Sequence, residues 1–282
     1  MMEKGALYVC PTPIGNLADI TLRVLATLQQ VDFIAAEDTR HSRKLLTHYN
    51  IKTPLISYHE HNEKQRTEEI IARLQQGQSA ALISDAGMPG ISDPGSVLIR
   101  KCIENGIKID VLPGPNAALT ALVLSGMPTD GFLYLGFLPV KKKERQMVLT
   151  GISELPYTII LYEAPHRLQR TLQDIIAALG DREAAVAREL TKIHQTVHRG
   201  SLSALLAEFE QSPVKGECCL LLAPANGQGQ GSKSRTEDWL QDLEKLEAEG
   251  VTGKEALKLV AQKYGIGKNA LYQAKLERNK NK

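Results

Sequence analysis

Apolar and polar positions alternate with two periods along the first 225 residues. Short apolar runs at ALYVC (6–10), DFIAA (32–36), PLIS (54–57), SAALIS (79–84) and IKIDVL (107–112) predict strands. Between them, TLRVLATLQQ (21–30) and RTEEIIARLQQ (66–76) carry helical spacing. Pro94 and Gly95 stand before SVLIRKCIEN, where a helix is expected to start. A second series opens near residue 130, with strands predicted at FLYLGF (132–137), YTIILYE (157–163), AAVAREL (184–190) and ECCLLLA (217–223). Leu168, Leu172, Ile175, Ile176 and Leu179 mark one helical face, and Pro165 suits that helix's first position. Alternation of this kind predicts an α/β layered fold. The turn-rich LSGMPTDG (124–131) separates the series, so two α/β domains are expected, over 1–125 and 126–225.

The remainder reads differently. PANGQGQGSKSR (224–235) is rich in Gly, Gln and Ser, and a flexible linker is expected over 226–235. Residues 236–282 then carry short helical patterns. Trp239, Leu243 and Leu246 share a face, as do Leu257, Val260, Ala261 and Tyr264. Thr252 and Glu255 have capping-box spacing. From Val251 to Lys282 there are eight Lys or Arg against two Glu, so this small helical extension either docks nucleic acid or is a solvated charged surface.

Composition narrows the picture modestly. A chain of 282 residues, 43% hydrophobic and 23% charged, can bury a core without staples. A net charge of +2 leaves any argument about partners to local clusters. Cys10, Cys102, Cys218 and Cys219 form no CxxC pair and read as buried thiols of a cytoplasmic protein. The first apolar run is too short for a signal peptide, and no run approaches a membrane span.

ISDAGMPGISDPG (83–95) is the stretch densest in turn residues, and the common phosphate loops do not match it. GxxxxGK[ST], GxGxxG after the first strand and GxSxG are all missing. HEHNE (59–63) lacks HExxH spacing, so no metal is expected. Instead, PTPIGNL (11–17), EDTRHSR (37–43), ISDAGMPGISDPG and LPGPNAA (112–118) each follow a predicted strand. Ligands of open α/β sheets bind beyond the carboxyl ends of the strands, so these loops are expected to converge on a ligand. The residues alone reach an α/β ligand-binding enzyme.

PTPIGNL, EDTR, SDAGMPGISDPG and PGPNA, in that order and spacing, resemble the ribosomal RNA methyltransferase branch of the tetrapyrrole methylase superfamily, over about residues 6 to 223. The resemblance implies two α/β domains of the tetrapyrrole methylase type with S-adenosylmethionine bound between them. It further implies methylation of a cytidine ribose 2′-hydroxyl in the decoding region of 16S rRNA, by a homodimer acting within the small ribosomal subunit.

By motif, the resemblance assigns Pro13, Gly15, Ser84, Asp85, Ala86, Met88, Pro89, Gly90, Ile91, Asn116, Ala117 and Ala118 to the cofactor, with Tyr162, Ala187, Arg188 and Glu217 closing over the adenine. Asp93, Pro94 and Gly95 are expected to start a helix instead. TKIHQ (191–195) departs from the family, in which an acidic residue commonly follows that His. Candidates for the chemistry are the rim residues Asp38, Arg40, His59, Glu60 and Asn62, with Asp38 expected to hold Arg40 or a loop N–H. Arg40, Arg43, Lys141, Lys142, Lys143, Arg145, Lys268 and Lys275 are candidates for RNA contacts. Two other readings stay open: a small-molecule methyltransferase acting on a tetrapyrrole-like precursor, and a non-catalytic rRNA-binding assembly factor.

Overall fold

The computed structural model describes residues 3–212, 214–225, 242–264 and 271. The chain divides into a unit of residues 1–226 and a unit of residues 227–282.

The larger unit holds two five-stranded sheets. The first is built from β1 (Leu7–Val9), β2 (Phe33–Ala36), β3 (Leu55–Ser57), β4 (Ala80–Ile83) and β5 (Ile109–Val111), in the order β3-β2-β4-β1-β5. All its pairings are parallel. Strands covered on both faces carry continuous apolar runs, and every residue of β1, β2 and β4 is buried. Successive side chains point to opposite faces. Tyr8, Ile34, Ala36, Ala81 and Ile83 therefore pack with α1 (Leu22–Gln30) and α2 (Thr39–His48), through Val24, Leu28, Leu45 and Leu46. Leu7, Val9, Phe33, Ala35 and Leu82 pack on the other face, against α3 (Glu63–Gln75) and α4 (Ser96–Glu104). Gly95, at φ 144°, is the N-cap of α4; a Cβ there would lie 2.9 Å from Leu82 Cδ2.

The second sheet comprises β6 (Phe132–Phe137), β7 (Thr158–Glu163), β8 (Glu183–Arg188), β9 (Thr196–Ser201) and β10 (Cys218–Leu222), ordered β6-β7-β10-β8-β9. Only β6 and β7 pair in parallel; β10 lies antiparallel to both neighbours. One face is covered by α6 (Lys142–Gly151), α7 (Pro165–Leu179) and α8 (Leu202–Gln211), around Leu149, Leu168, Leu172, Ile175, Leu205 and Phe209. Pro165 stands in the first turn of α7, where its missing N–H costs no hydrogen bond.

The other face, with Ile160, Ala185, Ala187, Cys219 and Leu221, packs on α5 (Ala117–Ser125) through Ala118, Ala121 and Leu122. α5 follows the first sheet in sequence yet packs against the second. Ile14 and Leu190 join the same cluster, so the PTPIG loop of the first half is packed into the second.

Elements not predicted from sequence include α2, α5, α6, β9 and α8. β9 reads TVHRGS, a polar edge strand without clear alternation, and is only partly covered.

In the smaller unit, residues 242–248 and α9 (Gly253–Tyr264) are helical, and Leu243, Ala256, Val260 and Leu271 are buried together. Thr252 directly precedes α9. The linker over 226–235 lies outside the described residues, as do Trp239 and the side chain of Tyr264.

Candidate active site

The loops after β1, β2 and β4 are stitched together at the carboxyl edge of the first sheet. Thr12 and Gly87 exchange backbone bonds at 2.9 and 3.0 Å. Thr12 Oγ1 donates to the Ser84 carbonyl at 3.1 Å, and Ser84 Oγ turns back onto the carbonyls of Ala86 and Gly87. The Asp38 N–H donates to Asp85 Oδ1 at 3.1 Å. Gly87 and Gly90 both adopt φ of 80°, which lets the chain fold back on itself in this loop.

Above this edge lies a cavity of about 380 Å³, lined from both halves of the larger unit. Ile14, Met88, Ile91, Phe137, Tyr162 and Leu190 give it apolar walls. Five carboxylate residues line it (Glu37, Asp85, Asp93, Glu163 and Glu217), and no Lys, Arg or His among the described residues does. Glu163 is neutralised within the protein, accepting from Thr171 Oγ1 at 2.6 Å and pairing with Arg167 at 3.2 Å. Burial raises the pKa of Glu37, with Asp85 and Asp38 adding to it. Burial, followed by the charge of Glu37, pushes Asp93 up to about 7. Tyr162 is also raised by burial and stays a neutral phenol. Cys218 and Cys219, at the cavity's floor, are raised by burial to about 11 and about 12, so neither is a thiolate nucleophile.

Several residues expected to hold the cofactor meet in this cavity: Asp85, Ala86, Met88 and Ile91 from one loop, Asn116 and Ala117 from another, and Tyr162, Ala187 and Glu217 from the second sheet. Asn116 also caps α5, accepting from the Leu119 N–H at 3.0 Å. Pro13, Gly15 and Ser84 line a neighbouring cavity instead. Pro89, Gly90 and Ala118 line neither cavity, Pro89 and Ala118 being buried. Arg188 does not close over the cavity. Its guanidinium is turned onto Thr196 Oγ1 and the carbonyls of His194 and Lys215.

The rim residues proposed for chemistry line neither cavity. Asp38 is the N-cap of α2 and grips Arg40, whose guanidinium holds its carboxyl down to about 2. Asn62 ties a turn, accepting from the His59 N–H and donating to Ser57, while His59 Nε2 meets the Asn62 amide at 3.2 Å. Glu60 is exposed.

Sequence reasoning passed over Glu37 and gave Asp93 a helix-start role. Glu37 opens the EDTR motif and was the readable signal. Asp93 makes no cap on α4, whose N-cap is Gly95, and faces the cavity.

Among the RNA-contact candidates, Arg40, Arg43 and Lys141 to Lys143 are exposed. Arg145 is corrected. It is 2% exposed, with Nε and Nη2 donating to Asp174 Oδ2 at 2.8 and 2.5 Å and Nη1 donating to the Pro139 and Val140 carbonyls. Its place in α6 turns it inward, whereas its lysine neighbours point out. Lys268 and Lys275 lie outside the described residues. No group of three metal-ligating side chains occurs among the described residues.

The family model of the Tetrapyrrole (Corrin/Porphyrin) Methylases matches residues 6–206. The chain belongs to the tetrapyrrole methylase family. Among its relatives, the ribosomal RNA small subunit methyltransferase I of Synechocystis sp. is 48% identical, covering 97% of this chain and 98% of its own. The protein of that name from Escherichia coli O157:H7 is 48% identical, with 98% and 96% covered, and that from Bacillus subtilis 43%, with 96% and 94% covered. Among solved structures, the methyltransferase CobJ aligns with a TM-score of 0.61 at 20% identity, covering 78% of this chain and 95% of its own. The cobalamin biosynthetic enzyme cobalt precorrin-4 methyltransferase aligns with a TM-score of 0.59 at 17% identity, covering the same shares. These structural likenesses establish the tetrapyrrole methylase fold.

As a tetrapyrrole methylase the chain is a methyltransferase that takes S-adenosylmethionine as methyl donor. The acidic cavity fits that group. A sulfonium and an ammonium are cations, which suit a lining of carboxylates without a base, and an adenosine suits the apolar and aromatic walls. Glu37, Asp85 and Asp93 would hold the positive charge, and Tyr162, Phe137 and Met88 would hold the apolar portions. When bound, S-adenosylmethionine supplies an electrophilic methyl group.

Proposed function

We propose that this chain methylates the 2′-hydroxyl of a cytidine ribose in the decoding region of 16S rRNA. Relatives at 40–48% identity over nearly the whole chain carry the name ribosomal RNA small subunit methyltransferase I, which supports small-subunit rRNA as the substrate. The single observation that carries the donor half of the reaction is the cavity lined by five carboxylate residues and, among the described residues, by no Lys, Arg or His.

Methyl transfer to a hydroxyl is an in-line displacement, and alignment can supply roughly 7–11 kcal/mol in favourable systems. The chain's own part is to hold, align and exclude water. The stitched loops fix Asp85 and Glu37 beside the cavity, and the apolar walls keep water from the reacting centre. Asp38, held at about 2 by Arg40, is too weak a base to take the hydroxyl proton and serves the loop instead.

The acceptor is proposed to be 16S rRNA within the small ribosomal subunit, in the cytoplasm. No helix among the described residues is long and apolar enough to cross a membrane. Two copies are proposed to pair. Leu119 and Val123 on α5 and Val111 on the edge strand β5 remain 48%, 75% and 54% exposed, which supports an apolar contact between protomers.

Mass-spectrometric mapping of ribose methylation in 16S rRNA, with and without this protein, tests the reading. One cytidine ribose methyl should disappear when the protein is removed; an unchanged map would refute the proposal.

A further inference from the structure

A second cavity, of about 310 Å³, adjoins the first and differs from it in charge. Its walls are the PTPIG loop, the start of α2, the end of β4, and Lys192 with Glu217 from the second half. Ile14, Asp85, Ala86 and Glu217 are shared with the first cavity, so these residues border both. His41, Lys44 and Lys192 line the second, whereas no described residue of these types lines the first. Lys192 is held by Glu189 at 3.0 Å and Glu217 at 3.2 Å. His41 and Lys44 join no ion pair among the described residues, and α2, reading TRHSRKLLTH, carries no acidic residue at all.

Ser42 supplies an independent sign. It lines this cavity, is 2% exposed, and its Oγ has no hydrogen-bond partner among the described residues. A helical Ser commonly bonds back to the carbonyl four residues earlier, and this one does not. A buried hydroxyl left unpaired is unfavourable, so it marks a place where a polar partner is missing. The walls are also held fixed. Tyr49 Oη donates to the Leu17 carbonyl at 2.6 Å, and the Asn16 N–H donates to Thr191 Oγ1 at 2.9 Å.

We propose that this second cavity receives the acceptor ribonucleotide. Ser42 Oγ bonds to the sugar or base, Lys44 and His41 draw the flanking phosphates, and the Ile14–Asp85–Ala86 wall is where the acceptor meets the donor cavity. The assignment rests on the RNA-methylation reading above. A single-stranded or splayed nucleotide is the form that fits, because its base and ribose can leave the helix to enter a cleft. The phosphates on either side then lie along the basic face of α2, which also presents Arg40 and Arg43.

The test is fluorescence anisotropy of a labelled RNA oligonucleotide of decoding-region sequence with the full chain, beside calorimetry with S-adenosylmethionine. Lys44→Glu, at an exposed position, and Ser42→Met, which fills the cavity, are compared with wild type and with Lys52→Glu, an exposed charge reversal outside both cavities. Both cavity variants are expected to weaken RNA binding about tenfold and leave S-adenosylmethionine affinity near that of wild type, while Lys52→Glu changes neither. RNA affinity retained in Lys44→Glu and Ser42→Met, or lost equally in Lys52→Glu, would overturn the assignment alone. Wild-type protein that binds S-adenosylmethionine but not RNA would overturn both the assignment and the reading beneath it. If Ser42→Met fails to fold, Lys44→Glu alone decides.

Discussion

The Glu37 carboxylate accepts a hydrogen bond from the Asp85 backbone N–H at 3.3 Å, joining the end of β2 to the loop after β4. The Asp85 side chain returns the link through the Asp38 N–H. Each carboxylate therefore shapes the cavity as well as charging it. Asp85→Ala removes a negative charge and an acceptor at once. S-adenosylmethionine affinity should fall about 10–100-fold, in line with the loss of a hydrogen bond to a charged group. Calorimetry measures this directly; an affinity within twofold of wild type would refute the role given to Asp85.

Asp93 gives a pH signature. Its folded pKa is raised from 3.8 to about 7, so folding disfavours its ionised form. Stability is thus lost as pH rises from the unfolded value through 7, the reverse of a salt-bridged carboxylate. Asp93→Asn should raise the melting temperature more at pH 8 than at pH 5, by roughly 1–2 kcal/mol of added stability after solvent screening. A cationic ligand favours the ionised form, so S-adenosylmethionine binding near pH 6.5 should release a proton. Calorimetry in buffers of different ionisation heat would show it, and no buffer dependence would argue against Asp93 facing the charge.

Arg145 separates packing from recognition. Arg145→Ala strands the Asp174 carboxylate in the second half and should cost about 3–5 kcal/mol by thermal denaturation. Lys142→Glu and Lys143→Glu, on the outer side of the same helix, should leave stability within about 0.5 kcal/mol while weakening RNA binding. RNA affinity that tracks Arg145 in a variant of unchanged stability would reverse this division.

Gly15 is required by space. A Cβ there would lie 2.6 Å from Lys192 Cγ and 2.8 Å from the Leu190 carbonyl. Gly15→Ala should therefore push the PTPIG loop away from the second half and cost about 1–3 kcal/mol. A variant as stable as wild type would show that the approach is loose.

Removing residues 227–282 takes away a separate unit rich in Lys and Arg. The remaining chain should bind S-adenosylmethionine as tightly as before and RNA less tightly, with a shallower salt dependence. Equal loss of both ligands would contradict this.

The strands were legible because apolar runs such as FIAA and AALI have no other stable place than a sheet covered on both faces. β9 was not, because its polar residues pair at an edge where no alternation is imposed. The cavity loops were legible as punctuation, PTPIG and SDAGMPG, since close backbone approach needs Gly and Pro. Which side chains turn into the cavity was not, because it depends on partners distant in sequence. Arg145 meets Asp174 and Arg188 meets Lys215 only after folding, and nothing in KKKER or VAREL announces it. Glu37 was readable as the first residue of EDTR, but its link to Asp85, 48 residues on, appears only in the folded chain.

The position of β10 bears on how the chain is made. Every strand of the first sheet is available once residue 111 has emerged from the ribosome, and that sheet can then close. The second sheet has its last strand at its centre, with β7 on one side and β8 on the other. Until Cys218–Leu222 emerges, the β6–β7 and β8–β9 pairs have no strand to join them, and their inner edges stay open. Translation that stalls before residue 218 therefore leaves two unpaired edges exposed beside a finished neighbour, a nascent state in need of protection from aggregation.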